Sequence, residues 1–437
     1  MHKKANFDIP FGEGTIPFTF PEGLMAQAFE PLQTPALDNV AESVRACIEE
    51  PLGSRPLAEI LSPGNQVVIV TADVTRKTNY AMWLPHLFDE CNRLGVKDAD
   101  IALLIGGGIH PPHDDLKNRQ CFGAEVCARV QIWNHDATAA AMLTDLGVTT
   151  SGTPVRLNSR AVNADRVIVT GGANYHCFAG FSGGSKGVIP GISSKETIQA
   201  NHRNALKKDG RGREMRADHG RLVDNPVHED MVEVARMFSP DFLINIVNNA
   251  HGEVARILGG DLVTAHEEAC KTVEKLYCQV IPRKADLIIA SSGGFPYDIS
   301  FYQAVKTLES AGRALRDGGT LIMVSECRDG YGSLEWEEFL QYQDTDVIED
   351  LLRENFTVGG FIYYDMRTTL KRINAILVSS LTAEMTNKMG LHPASDLSMA
   401  LNMARDFTSP IEVTYVFPQG SMSVPFIGSP DNEQAVA

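Results

Sequence analysis

The sequence has no long apolar run, no signal-peptide core and no surplus of basic residues. No stretch approaches the ~18 consecutive apolar residues of a membrane-spanning helix, and the first residues do not read as a secretion signal. The formal net charge is -16, from 39 basic and 55 acidic side chains. Because nucleic acids and anionic membranes favour basic surfaces, we expect neither as a partner.

Closely spaced cysteines are also missing. None of the eight cysteines belongs to a C-x-x-C pair, and a disulfide framework is not expected in a chain of this length. We therefore expect reduced thiols in a cytoplasmic protein. Cys177, beside His176, is the one cysteine next to a candidate site.

Several motifs of common enzyme classes are absent. Gly106–Gly108 and Gly183–Gly187 do not fit G-x-G-x-x-G after a strand, and no Ser or Thr follows Lys186 as a Walker A motif requires. H-E-x-x-H and a cysteine zinc cluster are lacking. Gly180–Gly184 matches the nucleophile elbow G-x-S-x-G, but a serine hydrolase would leave the nearby histidines and lysine unexplained.

Short apolar runs alternate with helical segments through most of the 437 residues. This pattern predicts the α/β class, with two domains built on mostly parallel sheets, the first of them Rossmann-like. We expect residues 1–280 plus 411–437 to form the first domain and residues 281–410 to close over the substrate, with the active site in the cleft between them. The expected strands are Gln66–Thr71, Ile101–Ile105, Gln131–Asn134, Arg166–Thr170, Ala285–Ser291, Thr320–Ser325, Ala375–Ser379 and Ile411–Val416.

The stretch from Asn174 to His202 predicts a site. It begins after an apolar strand and includes a loop with five glycines between Gly180 and Gly191, which we expect to be too flexible to serve packing. Ser193-x-x-Glu196 then predicts the start of a helix. On that helix His202 shares a face with apolar residues and should point inward. His176, Lys186 and His202 are thereby brought towards one place.

Polar residues follow two other strands of the first domain, where open α/β sheets bind ligands. Asp73-Val74-Thr75-Arg76 follows one strand, and Arg76 could bind a carboxylate or phosphate, or pair with Asp73. Three glycines, then His110 and His113, follow the other. We expect a functional role for His110, whereas His113 should be a bystander or a local cap.

Two further segments call for an interpretation. The basic segment Lys207–Arg216 reads as a solvated loop. In the second domain, a glycine turn precedes a helix carrying Tyr302, Gln303 and Lys306. Tyr302 and Lys306 are four residues apart, so they could hold one small anion or form an ordinary surface pair. A cleft with these cations and histidines suits an anionic substrate and proton transfer.

With these residues the chain resembles the nickel-pincer-nucleotide lactate racemase family of 2-hydroxy acid racemases and epimerases. The resemblance covers most of the chain. Its motifs are Asp73-x-Thr75-Arg76, Gly108-x-His110-x-Pro112, the block from His176 through Lys186 to His202, and Tyr302-Gln303-Ala304-Val305-Lys306.

The resemblance implies a cofactor, pyridinium-3-thioamide-5-thiocarboxylic acid mononucleotide, that carries Ni(II). Lys186 resembles the lysine that holds it covalently, and His202 the protein ligand to nickel, which suits sulfur and imidazole donors. The remaining residues expected to bind the cofactor, with its phosphate at the glycine loop, are Thr75, Ser182, Gly183 and Gly184.

The resemblance also implies the catalytic roles. His110 and His176 resemble acid/bases on opposite faces of a small 2-hydroxy acid, and Asp73 would orient a histidine or a cofactor hydroxyl. The C2 hydride would pass to the cofactor and return to the other face of a planar 2-oxo acid. Arg76 and Lys306 resemble carboxylate anchors, supported by Tyr302 and Gln303. Cofactor-synthesis proteins are the implied partners in vivo; the oligomeric state is left open.

The substrate stays open, as do two other functions. Polar residues at Asn174–Tyr175, Tyr297, Ser300 and Tyr363–Arg367 suggest a substrate larger than lactate, such as an aldonic acid. A NAD-dependent 2-hydroxy acid oxidoreductase and a non-catalytic carrier of the nickel cofactor are the alternatives. A carrier would need Lys186 and His202 without the acid/base histidines.

Overall fold

The computed structural model describes residues 3–22 and 24–428, which form two compact units. One unit spans residues 33–276, and the other combines residues up to 32 with those from 277 onward. Within the described residues, no helix is long and apolar enough to cross a membrane. Both units are α/β with mostly parallel strands, which confirms the predicted fold class.

The unit of residues 33–276 is built on a six-stranded sheet that is parallel except at one edge. Its strands, in spatial order, are Val254–Gly260, Phe242–Asn248, Arg166–Gly172, Val67–Thr71, Ile101–Ile105 and Gln131–Asn134. Two small hairpins pair Leu143–Val148 with Pro154–Asn158 and Tyr175–His176 with Gly180–Phe181. The helices are Val40–Glu49, Leu57–Ile60, Tyr80–Arg93, Asp115–Arg129, Ser159–Val162, Lys195–Arg203, Pro226–Phe238 and Thr264–Tyr277.

The order of these strands places the site. The central strand Val67–Thr71 is buried along its whole length, as expected for a parallel strand covered on both faces. From it the chain moves to one side of the sheet through Ile101–Ile105 and then returns to the other side at Arg166–Gly172. Loops leave a sheet in opposite directions at such a switch point, which opens a crevice at the carboxyl ends of the strands. Asp73 and His176 both follow strands at this point.

The other unit has a seven-stranded sheet, parallel except at its first edge strand. Its strands, in spatial order, are Lys3–Lys4, Ala26–Ala28, Thr414–Phe417, Ala285–Ser291, Leu315–Val324, Asn374–Val378 and His392–Ala394. A hairpin of Asn6–Phe11 and Gly14–Thr19 and a parallel pair of Cys278–Ile281 and Val424–Ile427 complete its strands. The helices are Phe301–Arg313, Leu334–Phe339, Thr345–Glu354, Val358–Leu370, Ala383–Lys388 and Leu397–Phe407.

The predicted domain boundaries need correction at both ends of the chain. The last sheet strand, Thr414–Phe417, pairs in parallel with Ala285–Ser291 and does not return to the first sheet. Ala26–Ala28 in turn pairs with this last strand, so residues up to 32 belong to the same unit. Long-range strand pairing decides this assignment, and the local sequence pattern does not encode it. Residues 429–437 lie outside the described part of the chain.

The start of the Lys195–Arg203 helix also differs from the prediction by one residue. Ser194, and not Ser193, caps the helix, because its side chain accepts a hydrogen bond from the backbone N–H of Thr197. The hydroxyl of Ser193 donates to the carbonyl of Val188 instead. The predicted orientation is confirmed: His202 is buried, with 2% of its surface exposed.

Candidate active site

His110 and Asp73 form a hydrogen-bonded dyad. Nδ1 of His110 lies 2.5 Å from Oδ2 of Asp73, and Oδ1 of Asp73 accepts from both the N–H and the hydroxyl of Thr75. Burial acts to raise the pKa of Asp73, but the hydrogen bonds from His110 and Thr75 outweigh it and lower that pKa. The ionised carboxylate fixes the proton of His110 on Nδ1, which leaves Nε2 as the atom for proton exchange.

The loops around this dyad pack closely on the glycine loop. The N–H of Gly108 donates to the carbonyl of Gly191 at 2.9 Å, and a Cβ on Gly106 would lie 3.1 Å from the Cα of Gly191. Nε2 of His113 accepts the backbone N–H of Val74 at 3.0 Å, so of the two roles expected for His113 the local cap is the one present.

His176 lies in a tight hairpin and is held by its own turn. Its Nδ1 accepts the backbone N–H groups of Phe178 and Ala179 at 3.4 and 3.3 Å. Burial, together with the positive charges of Lys186 and Arg76, holds the pKa of His176 well below its usual value. The imidazole is therefore neutral at physiological pH.

The ring of Phe178 lies among three candidate residues. His176 meets it edge-on with ring centroids 4.6 Å apart, and His202 meets it at 5.1 Å. Nζ of Lys186 lies 5.8 Å from the centre of the same ring. The predicted convergence of His176, Lys186 and His202 is thus present, with an aromatic ring at its centre.

Lys186 has an unusually acidic ammonium group. Burial, with the nearby charge of Arg76, lowers its pKa to about 7. The lowered pKa increases the share of neutral amine near neutral pH, and a neutral amine is the form that can attack an electrophile.

This pKa gives a testable pH dependence. The rate of acylation of Lys186 by a small amine-reactive anhydride should rise through about pH 7, well below the pH at which ordinary lysines react. Arg76→Met should move that midpoint upward, because it removes a neighbouring positive charge. Peptide mass mapping against pH measures both, with the exposed Lys195 as the internal reference. A midpoint for Lys186 equal to that of Lys195 would contradict the assignment.

His202 is oriented by an amide and a carboxylate behind it. Its Nδ1 lies 3.0 Å from Oδ1 of Asn201, while Nδ2 of Asn201 donates to Asp230 and to the carbonyl of Val227. Asp230 also accepts hydrogen bonds from two buried threonine hydroxyls. The chain of bonds places the proton of His202 on Nδ1 and the lone pair on Nε2. This is the arrangement by which outer partners orient a metal-ligating histidine.

The glycines between Gly180 and Gly191 serve close packing, contrary to the sequence-based expectation. A Cβ on Gly184 would lie 2.5 Å from the ring of His266, and one on Gly183 would lie 2.7 Å from Oδ1 of Asn245. Gly184 donates its N–H to Asn245, and Ser182 donates its N–H to the carbonyl of Asn174. These two N–H groups are therefore already engaged, and phosphate binding by Ser182, Gly183 and Gly184 stays a prediction.

The predicted anion-binding residues of the second domain lie together on one helix of the other unit. Tyr302 and Gln303 are half-buried and Lys306 is exposed. Nζ of Lys306 donates to Oε1 of Gln303 at 3.0 Å, and the ring of Tyr302 packs edge-on against Trp336.

The interpretation of Tyr363–Arg367 as specificity residues is wrong. Tyr363 and Tyr364 are buried, and their hydroxyls donate to the carbonyl of Tyr342 and to Glu349. Arg367 donates to the carbonyl of Met389. These residues stabilise the interior of their unit.

Three residues of the site, Phe178, Asn201 and Asp230, have no role predicted from the sequence. Phe178 and Asn201 stand beside predicted site residues in the sequence, and that adjacency was the available signal. Asp230 lies on another helix, so only the fold brings it to Asn201. Among the described residues, no group of three or more His, Cys, Asp or Glu side chains could hold a metal ion.

The fold and the site define a class of protein: an α/β enzyme with two differently held histidines at the switch point of a parallel sheet. Residues 11–213 match the lactate racemase N-terminal domain, and residues 280–424 match the lactate racemase C-terminal domain. The chain belongs to the lactate racemase family, whose named members are isomerases acting on a hydroxy acid.

Two curated relatives are lactate racemases. That of Thermoanaerobacterium thermosaccharolyticum is 30% identical over 426 residues, which cover 95% of this chain and 98% of the relative. That of Lactiplantibacillus plantarum is 34% identical over 293 residues, or 67% of each chain.

Solved structures agree with this family. The lactate racemase apoprotein of T. thermosaccharolyticum superposes with a TM-score of 0.87 at 28% identity, covering 97% of this chain and 100% of that one. A Thermotoga maritima protein, at TM-score 0.64 and 18% identity over 89% and 97% of the two chains, shares the fold.

Proposed function

We propose that the chain is a racemase or epimerase of 2-hydroxy acids that inverts C2 with a nickel-pincer nucleotide. The observation that carries the proposal is the set of differently held groups at one sheet edge. The carboxylate of Asp73 holds His110, and backbone N–H groups hold the imidazole of His176. Lys186 and His202 lie next to the ring of Phe178, which also contacts His176.

The residues present fit the cofactor that the family resemblance implies. Lys186, with its pKa lowered to about 7, has the amine reactivity that covalent attachment requires. His202 presents the lone pair of Nε2, because Asn201 holds its Nδ1 proton. Sulfur donors from the cofactor together with one imidazole suit Ni(II). Thr75, whose hydroxyl donates to Asp73, is proposed to contact the cofactor as well.

The protein's own groups would handle the hydroxyl proton and the carboxylate. His110 takes the hydroxyl proton at Nε2, and Asp73 stabilises the imidazolium across Nδ1. His176 is proposed to serve the hydroxyl on the opposite face of the substrate. When bound, the cofactor supplies the carbon that accepts and returns the C2 hydride. Arg76 and Lys306 are the proposed carboxylate anchors, with Tyr302 and Gln303 supporting Lys306.

The substrate is proposed to be lactate or a larger 2-hydroxy acid such as an aldonic acid. A larger acid is supported by Asn174, which is exposed beside the His176 hairpin, and by the half-buried Tyr175. Faster turnover of lactate than of every aldonic acid in a panel would remove it.

An isotope experiment tests the function. Protein produced with the cofactor-synthesis proteins is incubated in D2O with one enantiomer of lactate and, separately, with aldonic acids. Interconversion at C2 with the original C2 hydrogen retained is expected, because a hydride that leaves and returns does not exchange with solvent. Failure to convert any member of the panel would contradict the function. Conversion with full deuterium incorporation at C2 would contradict hydride transfer.

A further inference from the structure

The segment of residues 213–225 packs along the hairpin that carries His176, although part of it was expected to be a solvated loop. The N–H of Gly220 donates to the carbonyl of Gly180 at 3.0 Å. The backbone of Arg221 packs so closely on Gly180 that a Cβ there would overlap its carbonyl oxygen. The segment is therefore part of the support of the site.

The first contact to the turn comes from Arg213, whose side chain is largely buried with 13% of its surface exposed. Its Nη2 donates to the carbonyl of Cys177 at 2.5 Å and also to Ala217 and Asp218. The carbonyl of Cys177 and the N–H of Phe178 belong to one peptide group. Arg213 thus holds, and polarises, the peptide that donates to Nδ1 of His176.

The second contact comes from Asn225, which is fully buried. Its Nδ2 donates to the carbonyl of Phe178 at 2.9 Å. That carbonyl shares a peptide group with the N–H of Ala179, the other donor to Nδ1 of His176. Oδ1 of Asn225 accepts from Val227 and His228 as a helix cap, so the orientation of its amide is fixed.

We infer that Arg213 and Asn225 are positioning residues that hold His176 as the imidazole protonated at Nε2. Each fixes one of the two peptide groups whose N–H points at Nδ1, so Nδ1 must be the acceptor nitrogen. The inference rests on the proposed function for its catalytic meaning, because it assigns the resting form of one proposed acid/base.

His110 and His176 then meet the substrate in opposite tautomers. His110 has its proton on Nδ1, against Asp73, and presents a lone pair at Nε2. His176 presents an N–H at Nε2, so in the resting enzyme it donates a hydrogen bond to the substrate oxygen. Burial opposes a second proton on His176, and so do the positive charges of Lys186 and Arg76. A neutral histidine held in this way by backbone N–H groups acts as an electrophile in triosephosphate isomerase.

The tautomer can be observed without activity, by two-bond proton–nitrogen NMR on the full-length apoprotein labelled with 15N-histidine. Comparison with His176→Gln assigns the resonances. The wild type should show His176 with unprotonated Nδ1 and protonated Nε2. Arg213→Met should shift this pattern towards a mixture of tautomers, and Arg213→Lys should restore it in part. Arg216→Met is the matched control, because the hydrogen bonds of Arg216 go to Glu214 in the same loop.

A second variant covers the case in which Arg213→Met does not fold. Asn225→Asp keeps the cap acceptor but replaces the donor to Phe178 with an oxygen, and it should shift the tautomer as well. In cofactor-loaded protein, both variants should lower kcat by about tenfold to a hundredfold with little change in KM, as for other orienting partners. An Nδ1-protonated His176 in the wild type, or an unchanged pattern in both variants, would overturn the inference. Lack of interconversion by a wild type with the expected tautomer would instead count against the proposed function.

Discussion

Replacing His110 with alanine is expected to lower kcat for C2 inversion by about 10²–10⁴-fold, the usual contribution of a positioned acid/base. The residue presents Nε2 for proton exchange while Asp73 holds Nδ1 at 2.5 Å. Nickel content and cofactor attachment should not change, because His202 and Lys186 are the groups proposed to hold them. Chiral chromatography of the product, with metal analysis of the same sample, measures both.

Asp73→Asn provides the graded companion to this variant. The asparagine can still accept a hydrogen bond from the Nδ1–H group of His110, but it has no negative charge to stabilise the imidazolium. We expect a smaller loss than for His110→Ala. The pH dependence follows from the lowered pKa of Asp73. The contribution of the ionised carboxylate is complete above the ordinary pKa of an aspartate, and it is lost as the pH falls through the lower pKa in the folded protein.

The exposed His251 supplies the control for His110→Ala. An equal loss of kcat in His251→Ala would contradict the role of His110.

Replacing His202 with alanine is expected to abolish stoichiometric nickel binding. His202 is the proposed protein ligand to nickel, and its Nε2 carries the lone pair because Nδ1 is held by Asn201. Asn201→Leu should retain the ligand but lose its orientation, weakening nickel affinity by about 10–100-fold. Metal analysis after dialysis against a weak chelator measures the series.

The control for this series is Arg203→Ala, an exposed position on the same helix. It should bind nickel as the wild type does. Full nickel retention by His202→Ala would show that another group is the ligand. Such a result would leave the assignment of Lys186 standing, because the covalent attachment does not depend on the metal ligand.

The sheets were predictable because their strands are short apolar runs with polar residues just past their ends. Ile101–Ile105 and Ala285–Ser291 have the predicted bounds. The convergence of His176, Lys186 and His202 was also predictable, since one strand end, one loop and one helix carry them within 27 residues. Sites formed by consecutive elements can be predicted from the sequence because such elements are usually adjacent in the folded protein.

The errors arise where distant segments decide the outcome. Thr414–Phe417 could have joined either sheet, and only its pairing with Ala285–Ser291 assigns it. The glycines at 183 and 184 suggest a flexible loop in the sequence, but in the structure they pack against the side chains of Asn245 and His266. The sequence does not distinguish Arg213 from its exposed basic neighbours, because its hydrogen-bond partner, the backbone carbonyl of Cys177, is distant in the sequence.

The most direct test of the proposed function is to measure the intact mass and the nickel content of the wild-type chain produced together with the cofactor-synthesis proteins. The proposed function predicts a mass increase equal to a modified pyridinium mononucleotide, located on the peptide that contains Lys186, with about one nickel per chain at His202. An unmodified chain without nickel under those conditions would contradict it. A freely dissociating nicotinamide cofactor, released on denaturation, would then become the better explanation.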